Sequence, residues 1–140
     1  MVSIEVVSGT SLEQAAVLGL YESVDWGAYT RDPDRLLRAI SGSTTVVAAR
    51  EAGELVGLAR VVSDGASIAY LQDVLVRPDL QRTGLGRRLV EAALQPYVDV
   101  RQKVLLTDDE PAQRAFYESL GFSEVRDFGE GTLRSFVRFD

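Results

Sequence analysis

A glycine-bearing turn between a predicted strand and a predicted helix is the part of this chain best suited to binding an anion. Residues 70–76 form an apolar run with β-branched Val74 and Val76, which is typical of a strand buried on both faces. Residues 81–86 read Gln-Arg-Thr-Gly-Leu-Gly, and apolar residues then recur at helical spacing until Pro96. The first amides of a helix lack intrahelical partners and carry partial positive charge, so the turn predicts a phosphate site.

Three arginines, Arg82, Arg87 and Arg88, surround the predicted N-terminus of that helix. Cations are disfavoured there by about 0.3–1 kcal/mol each, which indicates a negatively charged ligand. In the alternative interpretation the arginines are solvated, Arg87 or Arg88 pairs with Glu91 one turn away, and the glycines only shape the turn. The spacing is neither the GxxxxGK[ST] nor the GxGxxG pattern of nucleotide-binding loops.

The residues around this turn resemble the acetyl-CoA-binding segment of the GCN5-related N-acetyltransferases. Residues 74–76, Pro78 and residues 81–86 match its signature, Q/R-x-x-G-x-G/A after a strand. Residues 114–122 read Arg-Ala-Phe-Tyr-Glu-Ser-Leu-Gly-Phe and resemble the second signature, a helix-borne tyrosine before Glu-x-Leu-Gly-Phe. The resemblance implies an acetyl-CoA-dependent N-acetyltransferase that moves the acetyl group to a primary amine by direct attack in a ternary complex.

The resemblance also implies roles for individual residues. Tyr117 would hold its hydroxyl near the coenzyme sulfur and protonate the leaving thiolate, although a boundary aromatic with its hydroxyl in water is the alternative. The main chain of Val74, Leu75 and Val76 would pair with the pantetheine arm. The remaining coenzyme-binding residues would be Gln81, Arg82, Thr83, Gly84, Leu85, Gly86 and Arg87. Glu110 departs from the family, since many members have an asparagine seven positions before the tyrosine, to which a coenzyme contact is usually assigned.

The sequence also contains candidate residues for the acceptor side of the site. Asp73 is a carboxylate within an apolar strand, where burial favours the neutral form and suits a group that takes a proton from the amine; the alternative is a structural hydrogen-bond acceptor. Three aromatic residues precede the second predicted helix: Tyr21, Trp26 and Tyr29. The resemblance implies that this connection borders the acceptor pocket, so they would bind substrate, and the same rings could also cover the core. Further carboxylates that could bind a cationic acceptor are Asp25, Asp108 and Asp109.

Two rival interpretations belong to other classes of protein. A non-catalytic acyl-CoA-binding regulatory module with the same fold is favoured by Glu110 and opposed by Tyr117. An unrelated phosphate-binding domain would leave the tyrosine motif unexplained.

Composition narrows the chemistry further. The 140 residues contain no cysteine and no histidine, which excludes disulfides, a cysteine nucleophile and imidazole ligands, and we predict no metal. A formal charge of −6 argues against a nucleic-acid partner. No apolar stretch is long enough for a membrane span and no signal segment is visible, so we expect a cytoplasmic protein without a membrane partner. The partner expected is a small-molecule or peptide amine, with a possible homodimer through the apolar residues 136–139.

The elements that must position these residues predict one N-acetyltransferase domain over residues 1–140. We expect an α/β (α+β) acyl-CoA N-acyltransferase fold, with a mixed, mostly antiparallel sheet of about seven strands flanked by four helices. A Ser11–Gln14 capping box starts the first helix, and Asp32 with Pro33 starts the second. The other two follow Gly84 and Pro111. Strands are expected at residues 3–7, 45–50, 55–63, 66–76, 103–106, 122–125 and 132–139, with 103–106 parallel to 74–76 through a crossover helix.

Overall fold

The computed structural model describes residues 1–140 and divides them into two compact units, Met1–Leu106 and Thr107–Asp140. The first unit contains a five-stranded sheet in the order β1-β2-β3-β4-β5. The second contains one α-helix followed by a 3₁₀ turn. The strands and α-helices are β1 (Val2–Val7), α1 (Gln14–Ser23), α2 (Gly27–Thr30), α3 (Pro33–Ser41), β2 (Thr45–Glu51), β3 (Glu54–Ser63), β4 (Ile68–Val76), α4 (Leu85–Leu94), β5 (Gln102–Leu105) and α5 (Pro111–Ser119).

The sheet is mixed, as the sequence predicted. Strands β1 to β4 are antiparallel neighbours, and β5 lies parallel to β4. The parallel pair is joined through α4, because parallel neighbours require a crossover connection. The β2–β3 turn holds Ala52 and Gly53 at positive φ (52° and 82°), which is the conformation of a tight hairpin turn.

Each face of the sheet buries its own set of side chains. Val46, Ala48, Leu58 and Leu75 belong to a core cluster with residues of α1 and α3. Alternation along the strands turns Val47, Ala49, Gly57 and Ala59 to the opposite face, which α4 covers. A Cβ on Gly57 would lie 3.0 Å from Leu89 Cδ1 and 3.2 Å from the Leu75 carbonyl oxygen. The missing side chain therefore lets α4 approach the sheet closely.

The predicted start of the second helix, which is α3 in the structure, is confirmed, but the start of the first is not. Asp32 Oδ1 accepts the Arg35 amide at 3.1 Å, with Pro33 in the first turn of α3. The Ser11–Gln14 capping box does not form, because Ser11 lies in a 3₁₀ turn and donates its hydroxyl to the Ser8 carbonyl. α1 accordingly begins at Gln14 without a side-chain cap. Between α1 and α3 the sequence analysis missed the short helix α2.

The C-terminal unit is organised around α5. Pro111 starts the helix, and Gly121 (φ 94°) follows its end, as predicted. Arg114 ties the helix to the next segment, since its guanidinium contacts Glu118, Glu124 and Asp127. The 3₁₀ turn Val125–Glu130 follows.

The expectation of about seven strands is wrong, because the structure has five. Residues 122–125 and 132–139 contain no strand. Strand propensity is realised only when a neighbouring strand supplies hydrogen bonds and a packing surface. Along residues 132–139 the apolar side chains are instead exposed, Phe136 to 91% and Phe139 to 86%. The number of helices is also wrong: five α-helices form, rather than four.

None of the helices is long and apolar enough to cross a membrane. The cytoplasmic location stays a prediction.

Candidate active site

Strand β4 loses one of its two neighbours halfway along its length. It pairs with β3 from Ala69 to Val76, but with β5 only over residues 68–71. The main-chain groups of residues 72–76 that point away from β3 therefore have no strand partner. An extended ligand can occupy such an edge as an additional strand would. The predicted coenzyme residues Val74, Leu75 and Val76 all lie on this open edge.

The turn after β4 leads directly to the N-terminus of α4. Gly84 is the N-cap residue, with φ 87°, and no side chain caps the helix. Arg82 is also left-handed, with φ 64°. The turn is tied back to the strand, since Gln81 Nε2 donates to the Val76 carbonyl at 3.1 Å and Thr83 Oγ1 to the Leu80 carbonyl at 2.6 Å. The structure thus places the open edge and an uncapped helix N-terminus next to each other, an arrangement suited to an anion.

The three arginines of this turn have different surroundings. Arg87 lies 3.4 Å from Glu91, which confirms the pairing considered in the sequence analysis. Arg88 Nη2 donates to the Val2 carbonyl at 3.3 Å. Arg82 is exposed. Of the three, Arg82 is the one whose side chain the structure leaves most open to an anionic ligand.

Asp73 is the most buried charged residue of the sheet. Its side chain is 1% exposed, and its Oδ2 lies 2.6 Å from Arg60 Nε. The same oxygen accepts the Tyr21 hydroxyl at 2.8 Å, while Oδ1 accepts the Tyr29 hydroxyl at 3.2 Å. Arg60 and Asp73 meet because the register of β3 and β4 places them opposite each other. With both carboxylate oxygens engaged, the contacts favour the structural alternative for Asp73 over direct proton transfer.

The ionisable neighbours of Asp73 respond to burial and to its charge. Burial, and then the Asp73 carboxylate, raise the pKa of the Tyr21 and Tyr29 phenols above the ordinary value. Burial lowers the pKa of the Arg60 guanidinium, but the Asp73 charge and hydrogen bond raise it by more, so that it lies above its ordinary value. Both phenols therefore stay protonated and act as donors at neutral pH.

The three aromatic residues predicted to bind substrate form one cluster. The Tyr21 ring centroid lies 6.0 Å from that of Trp26 and 5.4 Å from that of Tyr29, and the Trp26 and Tyr29 centroids lie 5.8 Å apart. Tyr21 is completely buried, whereas Trp26 and Tyr29 are half-buried. The surface available to a ligand is thus formed by Trp26 and Tyr29, with Tyr21 behind them.

Tyr117 lies in the C-terminal unit, on α5. Its ring packs edge to face against Phe116 and Phe122, with centroids 4.9 Å and 6.0 Å away. Burial, with a smaller contribution from Asp108, raises the pKa of Tyr117 to about 12. Glu110, at the position of the family asparagine, is the exposed N-cap residue of α5 and makes no side-chain capping bond.

A groove of about 460 Å³ lies between α1 and the β2–β3 turn. Its wall includes Arg77, whose guanidinium already pairs with Glu54 at 3.1 Å and with Asp79 at 2.6 Å. The open edge of β4 offers unpaired main-chain groups, whereas the Arg77 guanidinium of this groove is already engaged by two carboxylates. We therefore place the candidate site at the edge of β4.

Two residues of this region were missed from the sequence. Arg60 is the partner of Asp73, and the available signal was that it is the only charge in residues 55–62. Gln72 donates from Nε2 to the Tyr29 hydroxyl oxygen at 3.2 Å. No sequence signal marks Gln72, because its position depends on an irregularity in the β3–β4 register.

The chain belongs to the GNAT acetyltransferase family, because the model of the Acetyltransferase (GNAT) domain matches residues 14–138. This confirms the family predicted from the two signatures. A serotonin N-acetyltransferase 2 named as chloroplastic, from Oryza sativa subsp. japonica, is 34% identical over 123 residues, which is 83% of this chain and 59% of that protein. The chain spans about half the length of the curated relatives it matches.

Solved structures share the fold over the whole chain. A GNAT-family acetyltransferase from Streptococcus pneumoniae TIGR4 is 28% identical, with a TM-score of 0.85 over 100% of this chain and 98% of that one. An aminoglycoside N-acetyltransferase solved in complex with CoA is 16% identical, with a TM-score of 0.72 over 100% of this chain and 94% of that one. The chain therefore has the α/β acetyltransferase fold with a mixed sheet.

Proposed function

We propose that the protein is an N-acetyltransferase that transfers the acetyl group of acetyl-CoA to a primary amine by direct attack in a ternary complex. The observation that carries this proposal is the open edge of β4, which runs into the uncapped N-terminus of α4. A thioester with an extended amide-bearing arm and a pyrophosphate matches these two features in that order.

The coenzyme would be held mainly by the main chain. Val74, Leu75 and Val76 supply amide and carbonyl groups for the pantetheine arm. The amides of residues 82–87 bind the pyrophosphate oxygens at the positive end of α4. Gly84 has no heavy atom within 4 Å of an added Cβ, so the space beside the turn is open to the ligand. No metal is needed for this mode of binding.

The chemistry would rest on orientation and on one hydrogen-bond donor. Holding the amine and the thioester together supplies a large part of the acceleration, and a chain without cysteine favours direct attack over a thiol-bound acetyl group. Tyr117 would act on the leaving thiolate, by analogy with the family motif. With its pKa raised to about 12, the phenol is a weaker acid than a thiol of pKa about 8.5, so it acts chiefly by donating a hydrogen bond to the leaving thiolate. The proton that the amine loses on attack passes to water, and the thiolate takes up a proton to leave as the CoA thiol.

The acceptor we propose is a small-molecule primary amine. The rice relative is named a serotonin N-acetyltransferase, and a structural neighbour acts on aminoglycosides by its name. Within this chain the half-buried rings of Trp26 and Tyr29 offer a flat surface that suits an aromatic or cationic group. We also propose that both compact units act as one catalytic domain, because the family match runs through both.

A second candidate is a non-catalytic acyl-CoA-binding module with the same fold. Glu110 in place of the family asparagine favours it. Such a module would bind acetyl-CoA but would release no CoA in the presence of amines. Thiol release across an amine panel separates the two candidates.

The first experiment is isothermal titration with acetyl-CoA and with CoA, comparing the wild type with Gly84→Asp. The matched control is Gly53→Asp, since both glycines have positive φ (87° and 82°) and open space around an added Cβ. The two variants thus carry similar backbone strain, and only Gly84 lies in the turn before α4. We expect micromolar binding by the wild type and by Gly53→Asp, and no binding by Gly84→Asp. A wild type that binds neither ligand would contradict both candidate functions.

A further inference from the structure

A chain of hydrogen bonds connects the buried ion pair to the open part of β4. Arg60 Nε donates to Asp73 Oδ2 at 2.6 Å. The Tyr29 hydroxyl donates to the other carboxylate oxygen at 3.2 Å, and Gln72 Nε2 donates to the Tyr29 oxygen at 3.2 Å. The chain begins at a fully buried carboxylate and ends at a half-buried amide.

The direction of every bond in this chain follows from its first member. A guanidinium can only donate, and the carboxylate paired with it can only accept. Tyr29 must therefore direct its proton to Asp73, which leaves only lone pairs on its oxygen. Gln72 must then turn its NH₂ group to Tyr29, and its Oε1 points the other way. The charge on Asp73 thus fixes the orientation of an amide that it does not touch.

Gln72 lies at an irregular position in the pairing of β3 with β4. Asp73 pairs with Arg60 and Leu71 with Val61, so Gln72 is the extra residue of a β-bulge. Bulges redirect side chains. Gln72 also comes directly after Leu71, the last residue of β4 that pairs with β5. It therefore occupies the start of the open edge, beside the aromatic surface of Trp26 and Tyr29.

No protein donor binds Gln72 Oε1, and no buried polar side-chain atom of the chain lacks a partner. The oxygen is therefore accessible from outside. Together with the remaining lone pair of Tyr29, it presents two neighbouring hydrogen-bond acceptors. A ligand group complementary to these acceptors carries several N–H donors, as an amine does.

We propose that Gln72 Oε1 and the Tyr29 oxygen bind the amino group of the acceptor, and that Asp73 is a positioning residue that sets their polarity through Tyr29. This inference rests on the proposed function and adds a residue that determines acceptor binding. A neutral amide oxygen suits the task, because it binds the uncharged nucleophilic amine as well as the ammonium ion. A carboxylate in its place would stabilise the ammonium form, so that the amine would become nucleophilic only at higher pH.

The test compares Gln72→Met, which keeps the length of the side chain but removes the acceptor oxygen, with Gln72→Glu, which keeps an acceptor oxygen and adds charge. Serotonin and spermidine serve as acceptor probes, measured by thiol release and by titration into the CoA complex. For Gln72→Met we expect KM for the amine to rise about tenfold, the loss of one hydrogen bond. Its kcat and its affinity for acetyl-CoA stay within about twofold.

For Gln72→Glu we expect KM for the amine to stay within about threefold, while the rising limb of kcat against pH moves up by about one unit. This shift distinguishes substrate contact from a structural role, which would not move the pH profile. Tyr29→Phe combined with Gln72→Met should raise KM by less than the product of the two single changes, because both act through one chain.

Equal effects of the Met and Glu variants on KM, or an equal rise in the Kd of acetyl-CoA, would overturn the inference. A wild type that binds acetyl-CoA but neither amine probe would also overturn the inference, although it would leave the proposed coenzyme site in place. Failure to bind acetyl-CoA would overturn the proposed function itself.

Discussion

Arg60 and Asp73 face each other across two neighbouring strands, and each is buried almost completely, with side-chain exposures of 7% and 1%. An ion pair in this position adds little net stability compared with two apolar residues, but either partner alone is costly. The pair therefore fixes the arrangement of the residues bonded to it. Tyr21 and Tyr29 reach the same carboxylate from α1 and α2.

Replacing Arg60 with Met should lower the free energy of unfolding by about 3–5 kcal/mol, since a buried carboxylate loses its counter-ion. Urea denaturation followed by circular dichroism measures the loss. The control is Arg35→Met, whose exposed pair with Asp32 spans 3.7 Å and should contribute less than about 0.5 kcal/mol. Similar losses in both variants would contradict the structural role of the Arg60–Asp73 pair.

Tyr117 allows a prediction about pH. Because its pKa is raised to about 12, the protonated phenol persists up to about pH 11, and kcat should show no falling limb below that pH. Tyr117→Phe should lower kcat about 100-fold with little change in KM for acetyl-CoA. Tyr97→Phe is the control, since that hydroxyl bonds to Thr45 in the core. A falling limb near pH 9 in the wild type that Tyr117→Phe abolishes would contradict the raised pKa.

The start of α3 is determined by its local sequence. The start of α1 is determined by the structure of the segment that precedes it. Asp32 and Pro33 are adjacent in sequence to the amides they serve, so the pattern alone was sufficient. The Ser11–Gln14 pattern looked equally good. It failed because residues 9–11 turn as a 3₁₀ helix, and Gly9 lies against the end of α3, where a Cβ would be 2.4 Å from the Ile40 carbonyl oxygen. Such a tertiary contact is not visible in a sequence.

The two candidate caps can be compared directly. Asp32→Ala should lower the free energy of unfolding by about 1 kcal/mol, because the Arg35 amide loses its acceptor. Ser11→Ala should cost less than about 0.5 kcal/mol, since its hydroxyl caps no helix amide. Thermal or urea unfolding of the two variants measures both values. A larger loss for Ser11→Ala would show that the predicted capping box forms after all.

The same distinction explains which parts of the site were predictable. The turn at residues 81–86 and the strand before it are continuous in sequence, so their pattern predicted the strand, the turn and the helix N-terminus. The Arg60–Asp73–Tyr29–Gln72 chain joins three elements and depends on one bulge. A register shift of one residue exchanges the faces of a strand. Sequence alone does not give that register, and so it did not reveal Gln72.

At the scale of the whole molecule, the exposed apolar residues are concentrated near the C-terminus. Phe128, Leu133, Phe136, Val137 and Phe139 are all at least 46% exposed. Residues 132–139 are rich in apolar side chains, but the strand predicted there does not form, because within one chain no strand pairs with it. A second copy of the chain offers the same segment with matching hydrogen-bonding groups.

We expect a homodimer in which these segments pair. Phe136→Ser combined with Phe139→Ser should shift the protein to a monomer in sedimentation equilibrium, because both side chains lose their burial across the pair. Val98→Ser is the control, since Val98 is 63% exposed elsewhere on the surface, and it should leave the association constant unchanged. A monomeric wild type at all accessible concentrations would refute the pairing.

Because β5 pairs with only the first part of β4, the amides of this one strand should exchange hydrogen at different rates. Residues 69–71 lie between two strands, whereas the amides of residues 72–76 that point away from β3 meet no strand and are open to exchange in deuterated water. Protection against exchange should therefore change within one strand, at Gln72, with alternate amides beyond it exchanging fast. A ligand that binds along the open edge would slow the exchange of those same amides. Hydrogen exchange in β4 therefore reports whether the ligand is bound, without an activity assay.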